Sequence, residues 1–196
     1  MVLANKGEKL MKSLILAASL FAIPSFAYAG DFQPVKHGSY LVDLDTQDGN
    51  FSLWKTSDVS DVNALRAHLT LLRKGSGKYA PSVGLSLLSG DKRVSLKIIA
   101  LPKSGPMFLQ VVKDNDDKTG QMILTPPEFQ EAFDIHVRWT PDGKVSFDVY
   151  SKANKDIGQG FEHHEVDLGG AVTDIEITNS TGEAEFNKLE LGNEAP

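Results

Sequence analysis

The sequence predicts an all-β fold, an antiparallel sandwich of two sheets, on three observations. Residues 133–150 (FDIHVRWTPDGKVSFDVY) alternate apolar and polar side chains on both sides of a turn. Residues 65–124 carry short alternating segments at regular spacing with turn chemistry between them, the pattern of sandwiches and barrels. The chain has 196 residues, 41% hydrophobic and 23% charged, which suits one domain with a substantial core and excludes disorder as a description of the whole.

The central hairpin is the clearest element. Phe133, Ile135, Val137 and Trp139 alternate with Asp134, His136 and Arg138, and Val145, Phe147 and Val149 alternate with Ser146, Asp148 and Tyr150. A strand sends successive side chains to opposite faces, so each half has one apolar and one polar face. Thr140-Pro141-Asp142-Gly143 suits a type I turn closed by glycine at positive φ, since proline presets φ and glycine takes the left-handed position without a Cβ penalty. A three-residue turn of this kind places Trp139 opposite Val145, Val137 opposite Phe147 and His136 opposite Asp148.

The remaining elements follow the same period. Residues 38–44 form a first strand with Tyr40, Val42 and Leu44 on one face; an acidic turn then leads to a second short strand at 51–54. Residues 65–73 place Leu65, Ala67, Leu69 and Leu71 on one face, and the period of two outweighs the helix propensity of leucine, alanine and arginine. Strands follow around Val83, Leu85 and Leu87, at 93–101, at 106–112 and at 121–124, where Pro126-Pro127 ends the run. Beyond the hairpin, 161–168 reads as an edge strand, 173–177 and 186–191 as separate strands about an Asn179-Ser180-Thr181-Gly182 turn, and 192–196 as a frayed tail.

The start of the chain reads as a processing segment. Met11-Lys12, the apolar stretch 13–26 and Ala27-Tyr28-Ala29 have the order of a signal peptide, with cleavage after Ala29 and the domain at 30–196. Whether Met1 or Met11 starts the chain stays open. Removing Lys6, Lys9, Lys12 and Glu8 moves the net charge from −6 to −8. Such acidity argues against nucleic-acid and anionic-membrane binding. The absence of cysteine excludes disulfides, thiol catalysis and thiolate metal sites. The expected location is periplasmic or secreted. No apolar run is long enough for a permanent membrane span.

The strand ending in Trp139, the P-D-G turn, the alternating strand to Tyr150, the later Ile175-x-Ile177 strand and the final Phe186-x-x-Leu189-x-Leu191 strand together resemble the concanavalin A-like lectin and glucanase superfamily, including laminin G-like domains. The resemblance covers most of 38–192 in strand order, and its specific residues lie between 133 and 191. It implies a jelly-roll sandwich whose first and last strands are neighbours. It also implies glycan, polysaccharide or protein binding as the commonest uses, with hydrolases and lyases in some branches. A fold does not determine function.

Several constellations could carry chemistry. Glycoside hydrolysis needs two carboxylates flanking the bond. The superfamily's glucanases resemble E-x-D-x-x-E, which this chain lacks; Glu131 with Asp134 and Asp174 with Glu176 are the alternatives, against the plain reading of a solvated sheet face. His136, Arg138, Asp148 and Tyr150 share one face with Asp134 and are the candidate ligand-binding residues, because a histidine opposite an aspartate can act as a base or hold a hydroxylated ligand. The competing reading is a cross-strand polar pair. In Glu162-His163-His164-Glu165 the two histidines point opposite ways on a strand, so they cannot share a zinc ion. Asp43, Asp45, Asp48 and Asn50 supply hard oxygen ligands in a short stretch and are the candidate calcium site, one residue off the D-x-D-x-D-G spacing. Trp54, Trp139 and Tyr79 could stack on sugars, although Trp139 shares the apolar face of Val137.

The expectation is an exported, non-catalytic module that recognises a glycan or cell-envelope polymer. The alternatives are a polysaccharide hydrolase or lyase using the His136 face, and a protein-binding or adhesion scaffold.

Overall fold

The computed structural model describes residues 32–34, 39–57, 59–75, 82–100, 107–114, 121–123, 132–151 and 161–194. The leader at 1–29, Tyr79, Glu131 and Pro126-Pro127 lie outside the described residues. The strands are β1 (Gln33–Pro34), β2 (Tyr40–Thr56), β3 (Ala64–Lys74), β4 (Ser82–Ser89), β5 (Lys92–Ala100), β6 (Met107–Lys113), β7 (Gln121–Ile123), β8 (Ala132–Trp139), β9 (Lys144–Ser151), β10 (Phe161–Asp167) and β11 (Asp174–Asn193).

These strands make an antiparallel jelly-roll sandwich. The hydrogen-bonded path runs β10-β9-β8-β3-β11-β4-β5-β6-β7, with β1 and β2 also paired to β11. The seam is β11. Its first half, Asp174 to Ser180, pairs with β4, and its second half, Gly182 to Gly192, pairs with β3. One layer is therefore β10-β9-β8-β3 with the second half of β11, and the other is the first half of β11 with β4-β5-β6-β7. β2 follows β11 through both layers.

The crossing between layers needs a local bend, and the residues there permit one. The register jumps from Ser180↔Phe51 to Gly182↔Thr46. Thr181, Gly182 and Gly49 have φ of 60°, 122° and 82°. At Gly182 a Cβ would run into the backbone of Arg73, so only glycine fits. The Gly49 amide donates to Thr181 Oγ1 at 3.2 Å, and fully buried Asn179 donates to the carbonyls of Leu44 (2.8 Å) and Gly182 (2.9 Å). These side-chain bonds satisfy backbone groups that the interrupted ladder would otherwise bury unpaired.

Three expectations are corrected here. From the two segments expected at 38–44 and 51–54, residues 40–44 and 51–54 belong to one 17-residue strand, and from those at 173–177 and 186–191, residues 174–177 and 186–191 belong to one 20-residue strand. The turn residues between them bend a continuing ladder instead of reversing the chain. The tail expected to fray reaches Asn193 in strand, and Glu194 is buried. The hairpin register holds as read from the sequence, with Trp139↔Val145, Val137↔Phe147 and His136↔Asp148 paired. Its turn closes through Gly143 N–H to Thr140 C=O at 2.9 Å, with Gly143 at φ 90°. Residues 65–73 lie in strand β3, and β10 is an edge strand of the path.

Between the layers lies one apolar core. Leu65, Leu69, Phe133, Ile135, Val137, Phe147 and Phe186 from the first layer meet Leu85, Leu87, Leu96, Ile98, Ile175 and Ile177 from the second, each no more than 2% exposed. Burying a side chain of this size contributes about 1.5–3 kcal/mol. The alternation that fills this core sends the intervening polar residues outward, and that arrangement builds the site.

Candidate functional site

On the outer face of the first layer, strand register sets His163, Asp148, His136 and Arg66 side by side across β10, β9, β8 and β3. Arg138, two residues along β8 from His136, shares that face. Asp148 is the hub. Its carboxylate accepts from Arg138 Nη2 at 2.8 Å and from His163 Nδ1 at 2.5 Å, and it lies 3.8 Å from His136 Nδ1, beyond hydrogen-bond reach. Asp148 and His136 are only 4% and 2% exposed although they sit on the outside of a sheet.

Their cover comes from Phe32, just before β1, and Glu194, just after β11. β1 pairs with the end of β11, which brings Phe32 and Glu194 over this face. The Phe32 ring lies 4.2 Å from the Arg66 guanidinium and meets His136 edge-on at 6.5 Å. The Glu194 carboxylate is 2.5 Å from Arg66 Nη2, 3.0 Å from His136 Nε2 and 4.0 Å from Arg138 Nε. Asn63 fixes the Glu194 backbone from both sides, donating to its carbonyl at 2.9 Å and accepting from its amide at 2.8 Å.

Burial, then the positive charges of Arg66 and Arg138, lower the His136 pKa from 6.5 to about 4, with Asp148 opposing. His136 is thus a neutral imidazole at physiological pH. Tyr150, half-buried on the same face, has its phenol pKa raised, first by burial and then by Asp148. Asp134 is paired with His68 of β3 on the same face.

Beside this charged row a cleft of about 740 Å³ opens at the turn end of the β8–β9 hairpin. Pro141 and Val166 supply apolar surface to it, with the core residues Trp139 and Val145 beneath, and Arg138 and Glu194 belong both to the row and to the cleft wall.

The structure thus brings His136, Arg138 and Asp148 together, with Tyr150 further along the face. Asp174 and Glu176 lie on the outer face of the second layer, where Lys55 reaches them at 3.2 and 3.4 Å and Arg93 meets Glu176 at 2.5 Å. Of the histidine pair, His163 faces out and His164 is buried. Asp43, Asp45, Asp48 and Asn50 are exposed along β2, and Asp45 is engaged by Arg73. Among the described residues, no group of three or more His, Asp or Glu side chains converges as a metal ion would require. Trp139 is a core residue at 6% exposure, and Trp54 is partly buried against Tyr40. The sequence reading missed Arg66, Phe32 and Glu194. Arg66 was visible as a polar residue in the β3 alternation, but its place beside His136 depends on a pairing between strands 70 residues apart in the chain. Nothing local marks Glu194.

No protein-family model and no curated protein matches the sequence. Solved structures share the fold at low identity. The Bacteroides ovatus protein described as xyloglucan PUL GH43B superposes with a TM-score of 0.54 at 12% identity, over 76% of this chain and 32% of its own. Galectin LEC-6 of Caenorhabditis elegans gives 0.47 at 13% identity, over 76% of this chain and 95% of its own. The ancestral congerin Con-anc gives 0.45 at 13% identity, over 70% and 98%. Likeness at this level speaks to the fold alone.

Proposed function

We propose that the protein is an exported, non-catalytic binding module of the concanavalin A-like type, acting in the periplasm or outside the cell after loss of residues 1–29, and that it recognises a glycan or cell-envelope polymer in the cleft beside the β8–β9 turn. The observation that carries this reading is the lining of that cleft. Apolar surface from exposed Pro141 and half-buried Val166 lies next to hydrogen-bonding groups of Asn63, Arg138, Lys144, Ser146 and Asp167, above the core residues Trp139 and Val145. A sugar ring presents the complement, a C–H face and a rim of hydroxyls, and binding clefts combine apolar walls with a few placed polar groups.

The hydrolase or lyase alternative draws less support. A general base must come within about 3 Å of the proton it takes. His136 is 2% exposed beneath Phe32 and Glu194, and the carboxylates of Asp148 and Glu194 are engaged by arginine and histidine. The adhesion alternative would use β2, where Leu41, Phe51 and Leu53 are exposed.

A glycan array and affinity electrophoresis in polysaccharide gels test the proposal. Retention by at least one polymer, weakened by Arg138→Ala and Lys144→Ala without cleavage of the polymer, is the expected result. Absence of any retained glycan, or retention indifferent to both substitutions, would remove it. Repeating the array with a chelator reads out calcium at Asp43, Asp45, Asp48 and Asn50, since loss of binding would place an ion in the recognition.

A further inference from the structure

We infer that Arg66, His136 and Arg138 form a carboxylate-binding pocket for an acidic, uronate-type sugar, and that the chain's own Glu194 occupies this pocket in the free protein. The inference rests on the glycan-binding reading above and names the class of sugar within it.

The geometry is that of a receptor holding a substitute ligand. The Glu194 carboxylate is 2% exposed, with Arg66 at 2.5 Å, His136 at 3.0 Å and Arg138 at 4.0 Å. Arg66 Nη2 donates to Glu194 Oε1, and a charge-assisted bond of this kind is stronger than one between neutral groups. The pocket is held in place independently of its occupant, because Asp148 fixes Arg138 at 2.8 Å and Phe32 lies against Arg66 at 4.2 Å.

Exchange requires little movement. Asn63 anchors the backbone of Glu194, not its carboxylate, so rotation of one side chain clears the pocket while β1 and β11 stay paired. The cleft leads there directly, since Arg138 and Glu194 form part of its wall. A sugar seated against Pro141 and Val166 could therefore place a ring carboxylate where Glu194 now sits.

Charge balance selects the class of ligand. Replacing one carboxylate with another leaves Arg66 and Arg138 compensated. A neutral sugar that displaced Glu194 would take that counter-charge from Arg66, which is 22% exposed, while Arg138 would keep Asp148.

The test compares polygalacturonate with its carboxyl-reduced form, on wild-type protein and on Glu194→Gln, by isothermal calorimetry. The substitution weakens the internal competitor, so polygalacturonate should bind Glu194→Gln on the order of tenfold more tightly than wild type. Binding of the reduced polymer, which brings no carboxylate to the pocket, should gain less than that of polygalacturonate. Arg66→Ala, added to Glu194→Gln, removes the donor that meets the carboxylate and should abolish the gain. If both polymers bind alike in all three proteins, the pocket does not read carboxylates; this inference falls and the glycan reading stands. If no glycan on the array is retained, the glycan reading falls and takes this inference with it. Polyglutamate binding as tightly as polygalacturonate would overturn the assignment to a sugar. If Glu194→Gln does not fold, Glu194→Asp, whose carboxylate is drawn back from Arg66, should show a smaller gain of the same sign, and no gain there overturns the inference.

Discussion

The two outer faces of the sandwich carry similar residues to different ends. On the second layer, Lys55, Asp174, Glu176 and Arg93 pair among themselves, and Ser86 with Ser95 and Ser82 with Ser180 share hydroxyl bonds at 2.8 and 2.9 Å. Every one of those partners comes from within the sheet. On the first layer, the charges of β3 and β8 converge on Glu194, which lies past the end of β11, those of β8 and β10 converge on Asp148 of β9, and the Phe32 ring lies against Arg66. The comparison teaches that alternation alone makes a polar face. A candidate site arises where a further segment of chain closes over that face and leaves a cleft beside it.

Removing the hub of the first face should have the largest effect. Asp148→Ala leaves Arg138 and His163 without their shared acceptor beside a buried histidine. A loss of about 3 kcal/mol in urea unfolding is expected, from two charge-assisted hydrogen bonds at the low end of about 1.5–3 kcal/mol each, since Arg138 and His163 are 38% and 39% exposed. A loss comparable to that of a surface pair would erase the distinction between the faces.

Acid should sharpen the same contrast. His136 has a folded pKa of about 4 against an ordinary 6.5. Its neutral form is favoured by folding, so this contribution is complete above pH 6.5 and is lost as the pH falls towards 4. The groups facing it are Arg66 of β3, Arg138 of β8, Asp148 of β9 and Glu194. The full loss corresponds to about 3 kcal/mol at 1.36 kcal/mol per pH unit of displacement. His136→Gln should flatten the stability profile between pH 6.5 and 4, whereas changes at the second face should leave its shape intact.

The turn that sets the first face into register is the next lever. Gly143 has φ 90°, and a Cβ there would meet the backbone of Gly170, so Gly143→Ala should cost roughly 1–3 kcal/mol. A shift in thermal midpoint measures it, and an unchanged midpoint would show that the turn can relax. The second face should respond least. Lys55 is 41% exposed, and Lys55→Ala should change stability by less than about 1 kcal/mol, most of that lost in high salt, without altering ligand binding.

Much of the first layer was legible because its information is local. Phe133 to Trp139 and Val145 to Val149 alternate cleanly, and Thr140 to Gly143 contains the turn, so strand identity, register and the shared face of His136, Arg138 and Asp148 follow from adjacent residues. The crossing between layers was not legible. Asp48, Gly49, Thr181 and Gly182 carry ordinary turn chemistry, and the same chemistry serves a chain reversal or a bend in a paired ladder. The outcome depends on whether a partner strand continues alongside, and β2 does.

The sequence by itself determined the all-β class, which side chains of the hairpin face the core and which face outward, because a period of two leaves a strand with one apolar face no other stable choice. Only the tertiary structure decided that His136 would be buried, that Arg66 would lie beside it and that Glu194 would close over both. Those contacts join residues 58 to 128 positions apart, and side-chain alternation carries no information on which strand will be a neighbour or where Phe32 and Glu194 will come to rest.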